Sequence, residues 1–185
     1  MIVVNFRRKT MTAMRRAYFA HAAESAARYH ISFDRIVQHL WEARRRHPRY
    51  RLRATTAVDD LVHAVACIDG EGLAWADLAA RFERPLIRRC RESQDEISAT
   101  ILVRRMLVDL RKSSCGHGSL LLPSLRAYVG DRPLQQWLQE RLSVIQTREA
   151  LEQVRRRTRC SNPHSTSRTL APWWISEPQA PFLSA

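Results

Sequence analysis

Two aspartates and a histidine near the middle of the chain have a spacing that suits acid–base chemistry. Asp59 and Asp60 precede His63 by four and three residues, so a helix would place the three side chains on one face. Carboxylates in the first turn of a helix more often stabilise the helix dipole. The sequence also shows no phosphate-binding glycine loop and no hydrolase motif. We therefore predict that the protein is not an enzyme and has no catalytic residues.

Cysteine and histidine occur together at two places in the second half of the chain. Cys115 is followed by His117, and Cys160 is followed by His164, which makes four potential zinc ligands. Their spacings match no standard zinc finger, and both pairs lie in irregular segments. The other two cysteines lie on apolar helical patterns and are predicted to be buried. We expect no metal site and no cofactor.

A helix that starts near Pro133 has a polar face that is typical of nucleic-acid binding. Gln and Arg side chains can contact base edges, and Arg also pairs well with phosphate. Just before this helix an aromatic residue lies among cations, a combination that stacks on unpaired bases. The alternative is an ordinary solvated helix face with Tyr128 packed inward. The predicted DNA-binding residues are Arg126, Tyr128, Arg132, Gln135, Gln136, Gln139, Arg148, Arg155 and Arg156.

Three motifs follow one another between residues 73 and 157. The first is an apolar helix that opens with Trp75-Ala-Asp-Leu, and the second is a helix that opens with Asp95-Glu-Ile. The third and most specific is Tyr128-Val-Gly-Asp-Arg-Pro-Leu134-Gln-Gln-Trp137-Leu, which leads into a helix that ends in three arginines. In this order they resemble region 2 of bacterial RNA polymerase sigma factors of the extracytoplasmic-function type. We expect the chain to lack a counterpart of that family's C-terminal domain, which reads the −35 element.

The resemblance implies a non-catalytic sigma-factor-like protein that acts in transcription initiation. Such a protein docks on the β′ clamp helices of RNA polymerase core and recognises or melts a −10-like element of promoter DNA. The turn and the final helix would face the DNA, and a protein antagonist is a further implied partner. The residues that would contact the polymerase are Asp95, Glu96, Ser98, Thr100 and Arg104.

The charge of the chain is large and unevenly distributed. Its 31 Lys and Arg residues against 18 Asp and Glu residues give a net charge of +13. Residues 1–58 carry 13 cations and 3 anions, and residues 59–78 carry five anions and no cation. The basic zone predicts an acidic partner. One alternative is therefore a non-catalytic helical adaptor that binds an acidic protein, with DNA binding incidental. A membrane-surface role is a weaker alternative, because the zone lacks a strong amphipathic pattern with Trp or Phe anchors.

Apolar residues recur at helical spacing along nearly the whole chain, which predicts an all-α bundle of five to six helices. Ser32 and Thr56 are predicted N-caps, and Ser93 with Glu96 forms a predicted capping box. In the helix after that box, Ile97 and Ile101 are predicted to point inward. Pro133 is predicted as the first residue of the last helix. Pro85 should bend the helix that contains it.

The composition suggests three regions along the chain. We predict a basic helical N-terminal segment over 1–58, a sigma region 2-like helical domain over 59–158, and a disordered tail over 159–185 that is rich in Pro, Ser and Thr. No apolar run approaches the length of a membrane span, and the first residues lack the pattern of a secretory signal. These features predict a cytoplasmic protein that has no membrane partner.

Overall fold

The computed structural model describes residues 11–46, 57–116 and 124–160, with side chains as far as residue 158. These residues contain six helices and no strand, which confirms the all-α prediction. Helix α1 spans 11–28 and includes a π-helical turn, Tyr18–Ala22. A short 3-10 helix, Leu125–Ala127, precedes the last helix. The other helices are α2 (Phe33–Arg46), α3 (Val58–Ile68), α4 (Gly72–Cys90), α5 (Glu96–Ser114) and α6 (Leu134–Cys160).

Contacts within the chain define two compact units, Met1–Ile145 and Gln146–Ala185. The first unit contains α1 to α5 and the beginning of α6, so there is no division between units at residue 58, where the composition changes. In the second unit the structure describes the end of α6, whose side chains are exposed from residue 150 to residue 158. The predicted disordered tail lies outside the described residues, except for the last two residues of α6.

Helix α3 lies at the centre of the first unit. It packs against α1, α2, α4, α5 and the 3-10 helix. Its residues from Val58 to Cys67 are buried with the single exception of Asp59. A helix that is apolar on nearly all sides belongs in the interior of a domain. Two polar residues, Asp60 and His63, are buried with it, and both have hydrogen-bond partners.

The helix starts show which of the predicted caps form. The Ser32 hydroxyl accepts a hydrogen bond from the amide of Arg35 at 3.2 Å, so this cap of α2 is confirmed. The capping box at Ser93 is wrong, because the chain is still in a turn there and the Ser93 hydroxyl donates to the carbonyl of Cys90 at 3.2 Å. Asp95 caps α5 instead, accepting from the amide of Ser98 at 2.9 Å. The predicted cap Thr56 lies outside the described residues.

Two prolines lie at informative positions in the helices. Helix α4 continues through Pro85 without interruption. Pro133 lies one residue before α6, not inside it, and its carbonyl accepts from the amide of Trp137 at 3.1 Å. Within the described part of the chain, every helix is too short or too polar to cross a bilayer.

The inward side of α5 differs from the sequence prediction. Ile97 and Ile101 are exposed, whereas the buried residues of this helix are Ala99, Leu102, Val103, Met106, Leu110 and Ser114. Apolar residues lie on two opposite faces of α5, so the spacing alone could not decide which face is buried. Trp41 of α2 is a comparable case, because its spacing matches the apolar face of that helix but its side chain is exposed.

Candidate nucleic-acid and protein interfaces

The motif that carries the sigma-factor resemblance forms part of the core. The Tyr128 ring is fully buried and lies edge-on to the ring of Trp137, with the centroids 5.8 Å apart. Its hydroxyl donates to the carbonyl of Arg132 at 2.6 Å, and its own carbonyl lies 2.7 Å from Nε2 of His39. Burial raises the pKa of the Tyr128 hydroxyl. The prediction that Tyr128 stacks on bases is therefore wrong, because the core covers the ring.

The rest of the motif is also explained by packing. Gly130 has a positive φ of 69°, which is the conformation that favours glycine, and its carbonyl accepts from the amide of Ala57 at 3.2 Å. The amide of Leu134, an orphan donor at the start of α6, donates to Oδ2 of Asp60 at 2.8 Å. Oδ1 of Asp60 lies 3.0 Å from the guanidinium of Arg81. Asp60, a candidate for acid–base chemistry, thus caps α6 from the central helix.

The two arginines that flank Tyr128 are engaged within the protein. Nε of Arg126 donates to the carbonyl of Ser114 at 2.7 Å. The guanidinium of Arg132 pairs with Asp131 at 2.8 Å and with Glu140 at 2.7 Å. The hydrogen bonds that Arg132 donates to these two carboxylates raise its pKa. Arg132 is therefore charge-compensated in this structure, and a phosphate would have to compete with both carboxylates.

The polar face of α6 is accessible in the first unit. Gln135 and Gln136 are exposed and Gln139 is half-buried. The Gln136 amide donates to Glu140 at 3.3 Å, so its nearest partner is a carboxylate of the same helix. Gln135 and Gln139 are therefore the predicted residues of this unit whose side chains make no hydrogen bond within the described part.

The predicted arginines of the second unit are all exposed. Nε of Arg148 lies 3.2 Å from Glu152, one turn along α6. Arg155 and Arg156 form no ion pair within the part of the chain that the structure describes. These two side chains can therefore pair with phosphate without giving up an ion pair with another described residue.

The five predicted polymerase contacts lie on the first three turns of α5, or directly before it. The hydrogen bond from the Ser98 amide lowers the pKa of the Asp95 carboxyl, which is exposed. Glu96 is exposed and lies 3.5 Å from Arg91. The hydroxyl of Thr100 donates to the carbonyl of Glu96 at 2.8 Å, and Nε of Arg104 pairs with Glu83 of α4 at 2.7 Å. These five residues lie along the N-terminal half of the helix.

Sequence reasoning missed the apolar residues that lie beside these contacts. Ile97 is 73% exposed, Ile101 is 62% exposed and Val108 is 51% exposed. We call these three residues the outer face of α5. Their spacing of four and seven residues places them on one side of the helix, opposite the buried residues. In the sequence these three residues form a second apolar stripe on α5, displaced by two residues from the stripe that is buried.

The acid–base candidates do not converge on a common point. The carboxylate of Asp59 accepts a hydrogen bond from the hydroxyl of Ser25, whereas Asp60 points to α6. Nε2 of His63 lies 2.8 Å from the carbonyl of Ala74, which can only accept, so this nitrogen carries a proton. The His63 ring stacks on Tyr29 with the centroids 5.4 Å apart. Each group already has an internal partner, which suits a packing role.

A cleft of about 400 Å³ lies beside this cluster. Two of its charged groups are paired with each other: Asp77 pairs with Arg28 at 2.7 Å, and it also accepts from the hydroxyl of Tyr29 at 2.7 Å. Burial, followed by the hydrogen bond to Asp77, raises the pKa of Tyr29 to about 12. Among the described residues no cluster of three or more His, Cys, Asp or Glu side chains could hold a metal ion. His117 and His164 lie outside those residues.

Comparisons with family models, with curated proteins and with solved structures find no match to this chain. The sigma-factor resemblance therefore stays a prediction from the motifs. What the geometry adds is that the apolar residues of the most specific motif, Tyr128, Leu134 and Trp137, are buried, whereas other residues of α5 and α6 are exposed.

Proposed function

We propose that this protein is a sigma-factor-like, non-catalytic DNA-binding protein that docks on RNA polymerase core through α5 and contacts promoter DNA through α6. The observation that carries the proposal is the exposure of Ile97 and Ile101 on the helix that the resemblance assigns to the polymerase. In this proposal the protein acts in the cytoplasm during transcription initiation and recognises or melts a −10-like element.

The outer face of α5 suits a stable protein contact. Burying an exposed isoleucine side chain contributes about 1.5–3 kcal/mol at full burial, so two neighbouring isoleucines supply a compact centre for an interface. Asp95 and Glu96 form an acidic edge beside them, and Arg104 is exposed one turn further on. Charges at the rim of an interface chiefly set orientation and association rate. An apolar centre with a charged rim is the usual composition of a specific interface.

The exposed polar residues of α6 support the DNA contact. Gln135 and Gln139 can hydrogen-bond to base edges, and Arg155 and Arg156 can pair with phosphates. Tyr128 contributes by fixing the turn before α6, not by touching a base. Base-edge contacts of this kind give selectivity, whereas the basic residues supply salt-dependent affinity.

Co-purification with core polymerase tests the docking part of the proposal. The unaltered chain should retain core polymerase, and Glu96→Lys should weaken the complex because it reverses a rim charge. Asp95→Ser removes the second charge but keeps a side chain that caps helices well, so α5 should stay folded.

Glu92→Lys is the matched control, since Glu92 is an exposed carboxylate that precedes α5 and pairs with Arg89. No retention of polymerase, or equal losses for Glu92→Lys and Glu96→Lys, would overturn docking through α5. If these charge reversals weakened binding to a different protein and the chain did not retain polymerase, the result would favour the alternative function, an adaptor that binds another protein.

Salt-dependent binding to a promoter-like duplex tests the DNA part. Affinity should fall steeply as the salt concentration rises. The double variant Arg155→Gln with Arg156→Gln should reduce the slope of log affinity against log salt concentration by up to about 2. Gln135→Ala with Gln139→Ala should weaken binding to some sequences more than to others, by about 1–3 kcal/mol for each base that the glutamines no longer read. Equal losses on all sequences would show that α6 does not read bases.

A further inference from the structure

We propose that the cleft lined by α1, α3 and α4 binds a small organic cation, whose primary ammonium group donates hydrogen bonds to the carboxylate of Asp59 and to Nδ1 of His63. The volume of the cleft, about 400 Å³, lies within the range of small-molecule sites. None of the residues that line it belongs to the surfaces assigned above to polymerase and DNA. The inference therefore goes beyond the proposed function.

Asp59 gives the cleft a negative charge that its other residues do not balance. Within the described part of the chain, its carboxylate forms no ion pair. The two arginines of the cleft are already compensated by other acids. Arg28 pairs with Asp77 at 2.7 Å, and Arg81 pairs at 3.0 Å with Asp60, which is buried. The unbalanced carboxylate favours a cation as the ligand.

His63 supplies a second acceptor in the same cleft. It is 5% exposed, and it lines the cleft. Because its Nε2 donates to the carbonyl of Ala74 at 2.8 Å, Nδ1 is an acceptor in the neutral ring. No described group donates to Nδ1, and this atom is accessible to solvent. A ligand that brings an N–H donor would therefore satisfy a polar atom of an almost fully buried side chain.

The two acceptors are neighbours, and the His63 ring is held in place by packing. Asp59 and His63 are four residues apart on α3, which places them on one face of the helix. The His63 ring stacks on Tyr29 and is tied to α4 through the carbonyl of Ala74. A primary ammonium group has three N–H donors, so it can donate to both acceptors at once. A ligand gains affinity at such a site because few side chains need to be ordered on binding.

An organic ammonium ion suits the cleft better than an anion or a metal ion does. An anion would have to compete with Asp77 and Asp60 for the two arginines. A metal ion would need three or more ligands, and no such cluster exists among the described residues. Ala80, a small and exposed residue of the lining, leaves room for a short aliphatic chain beside the ammonium group. The ligand class is therefore a small alkylamine.

Titration of the full chain with n-butylamine, followed by nuclear magnetic resonance at about pH 8, where a free imidazole is neutral, tests the site. Binding in the millimolar range is expected for so small a probe. It should shift the nitrogen resonance of Nδ1 of His63, because that atom gains a hydrogen bond. No binding, or an unchanged Nδ1 resonance at saturation, would overturn the proposal.

Asp59→Asn should weaken the binding of n-butylamine about 10-fold, because it removes the charge that the ammonium group meets. The amide oxygen of the variant can still accept the hydrogen bond that the Ser25 hydroxyl donates at 2.5 Å, so α3 should stay folded. Asp34→Asn is the matched control and should bind normally, since Asp34 is also a carboxylate in the first turn of a helix but lies outside the cleft. Equal affinities of Asp59→Asn and the unaltered chain would contradict the proposal.

Two further probes separate this ligand class from others. Butyrate has nearly the same length but the opposite charge, and it should not bind. Binding of butyrate in place of n-butylamine would overturn the proposal, because the cleft would then recognise an anion. Nα-acetyl-lysine methylamide carries the same ammonium group on a peptide backbone and should bind no more tightly than n-butylamine. Tighter binding would make a protein lysine the occupant and would overturn the small-molecule assignment. None of these outcomes depends on polymerase or DNA, so the two proposals fail separately.

Discussion

The turn that leads into α6 and the outer face of α5 differ in burial. The turn carries the most specific motif and is buried, whereas the outer face of α5 is exposed. Tyr128, Leu134 and Trp137, the most specific part of the sigma-factor resemblance, are buried and connected to α2 and α3. Ile97 belongs to the less specific motif that opens with Asp95, and Ile101 lies one turn after it; both are exposed. The comparison shows that a family-like motif can determine how the chain folds, whereas the contact surface that we propose consists of apolar residues outside the core. Substitutions in the first region should change stability, and substitutions in the second should change binding.

The largest effect is expected at Tyr128. Tyr128→Ala should lower the free energy of unfolding by about 3–5 kcal/mol, because it leaves a cavity beside Trp137. Tyr128→Phe should cost about 1 kcal/mol, the usual value of one hydrogen bond, here the one to the carbonyl of Arg132. Urea denaturation measures both values. DNA binding by Tyr128→Phe should equal that of the unaltered protein, and a stability unchanged by Tyr128→Ala would contradict the core position.

The second-largest effect on stability is expected at Asp60, which connects α3 to α6. Asp60→Ala should lower the free energy of unfolding by about 2 kcal/mol, because it removes the acceptor for the Leu134 amide and leaves Arg81 without its partner. Asp60→Asn keeps an oxygen that can accept from Leu134 and should cost less. If the two variants were equally destabilised, the ion pair with Arg81 and not the cap would be the important contact.

A smaller effect should appear when the pH is lowered. Burial, as the main cause, lowers the pKa of His39 below its ordinary value of 6.5. The unfolded chain therefore binds a proton on His39 that the folded chain does not, once the pH falls below about 6.5. The contribution of the neutral His39 ring to the free energy of unfolding is fully present above that pH, and it is lost as the pH falls toward the pKa of His39 in the folded state. His39→Gln should reduce the dependence of unfolding free energy on pH between about 7.5 and 5. An unchanged slope would show that His39 is not the titrating group.

The smallest effect on stability is expected on the outer face of α5. Ile97→Ser and Ile101→Ser each replace a side chain that the core does not contact, so each should change the free energy of unfolding by less than about 0.5 kcal/mol. Urea denaturation of the double variant, compared with Met106→Ser on the buried side of the same helix, measures the difference. A loss of several kcal/mol from the double variant would show that the outer face is covered in solution.

The sequence predicted the helices well and the exposed surfaces poorly, for physical reasons. The cap at Ser32 and the buried residues of α4 follow from local preferences and one clear apolar stripe. In α5 two stripes compete, and only the packing against α3 and α4 decides which is buried. The role of Asp60 depends on a residue 74 positions away, so no local pattern could reveal it. Arg132 is a predicted DNA contact, but Asp131 and Glu140, which lies two turns along α6, compensate its charge.

Titration of the labelled protein with core RNA polymerase tests the central claim most directly. The double variant Ile97→Ser with Ile101→Ser should bind at least about 10-fold more weakly than the unaltered chain, while its unfolding free energy stays the same. Leu73→Ser is the control, since Leu73 is also 59% exposed but lies at the start of α4, and it should bind normally. An affinity that is equal for all three proteins would contradict docking through α5.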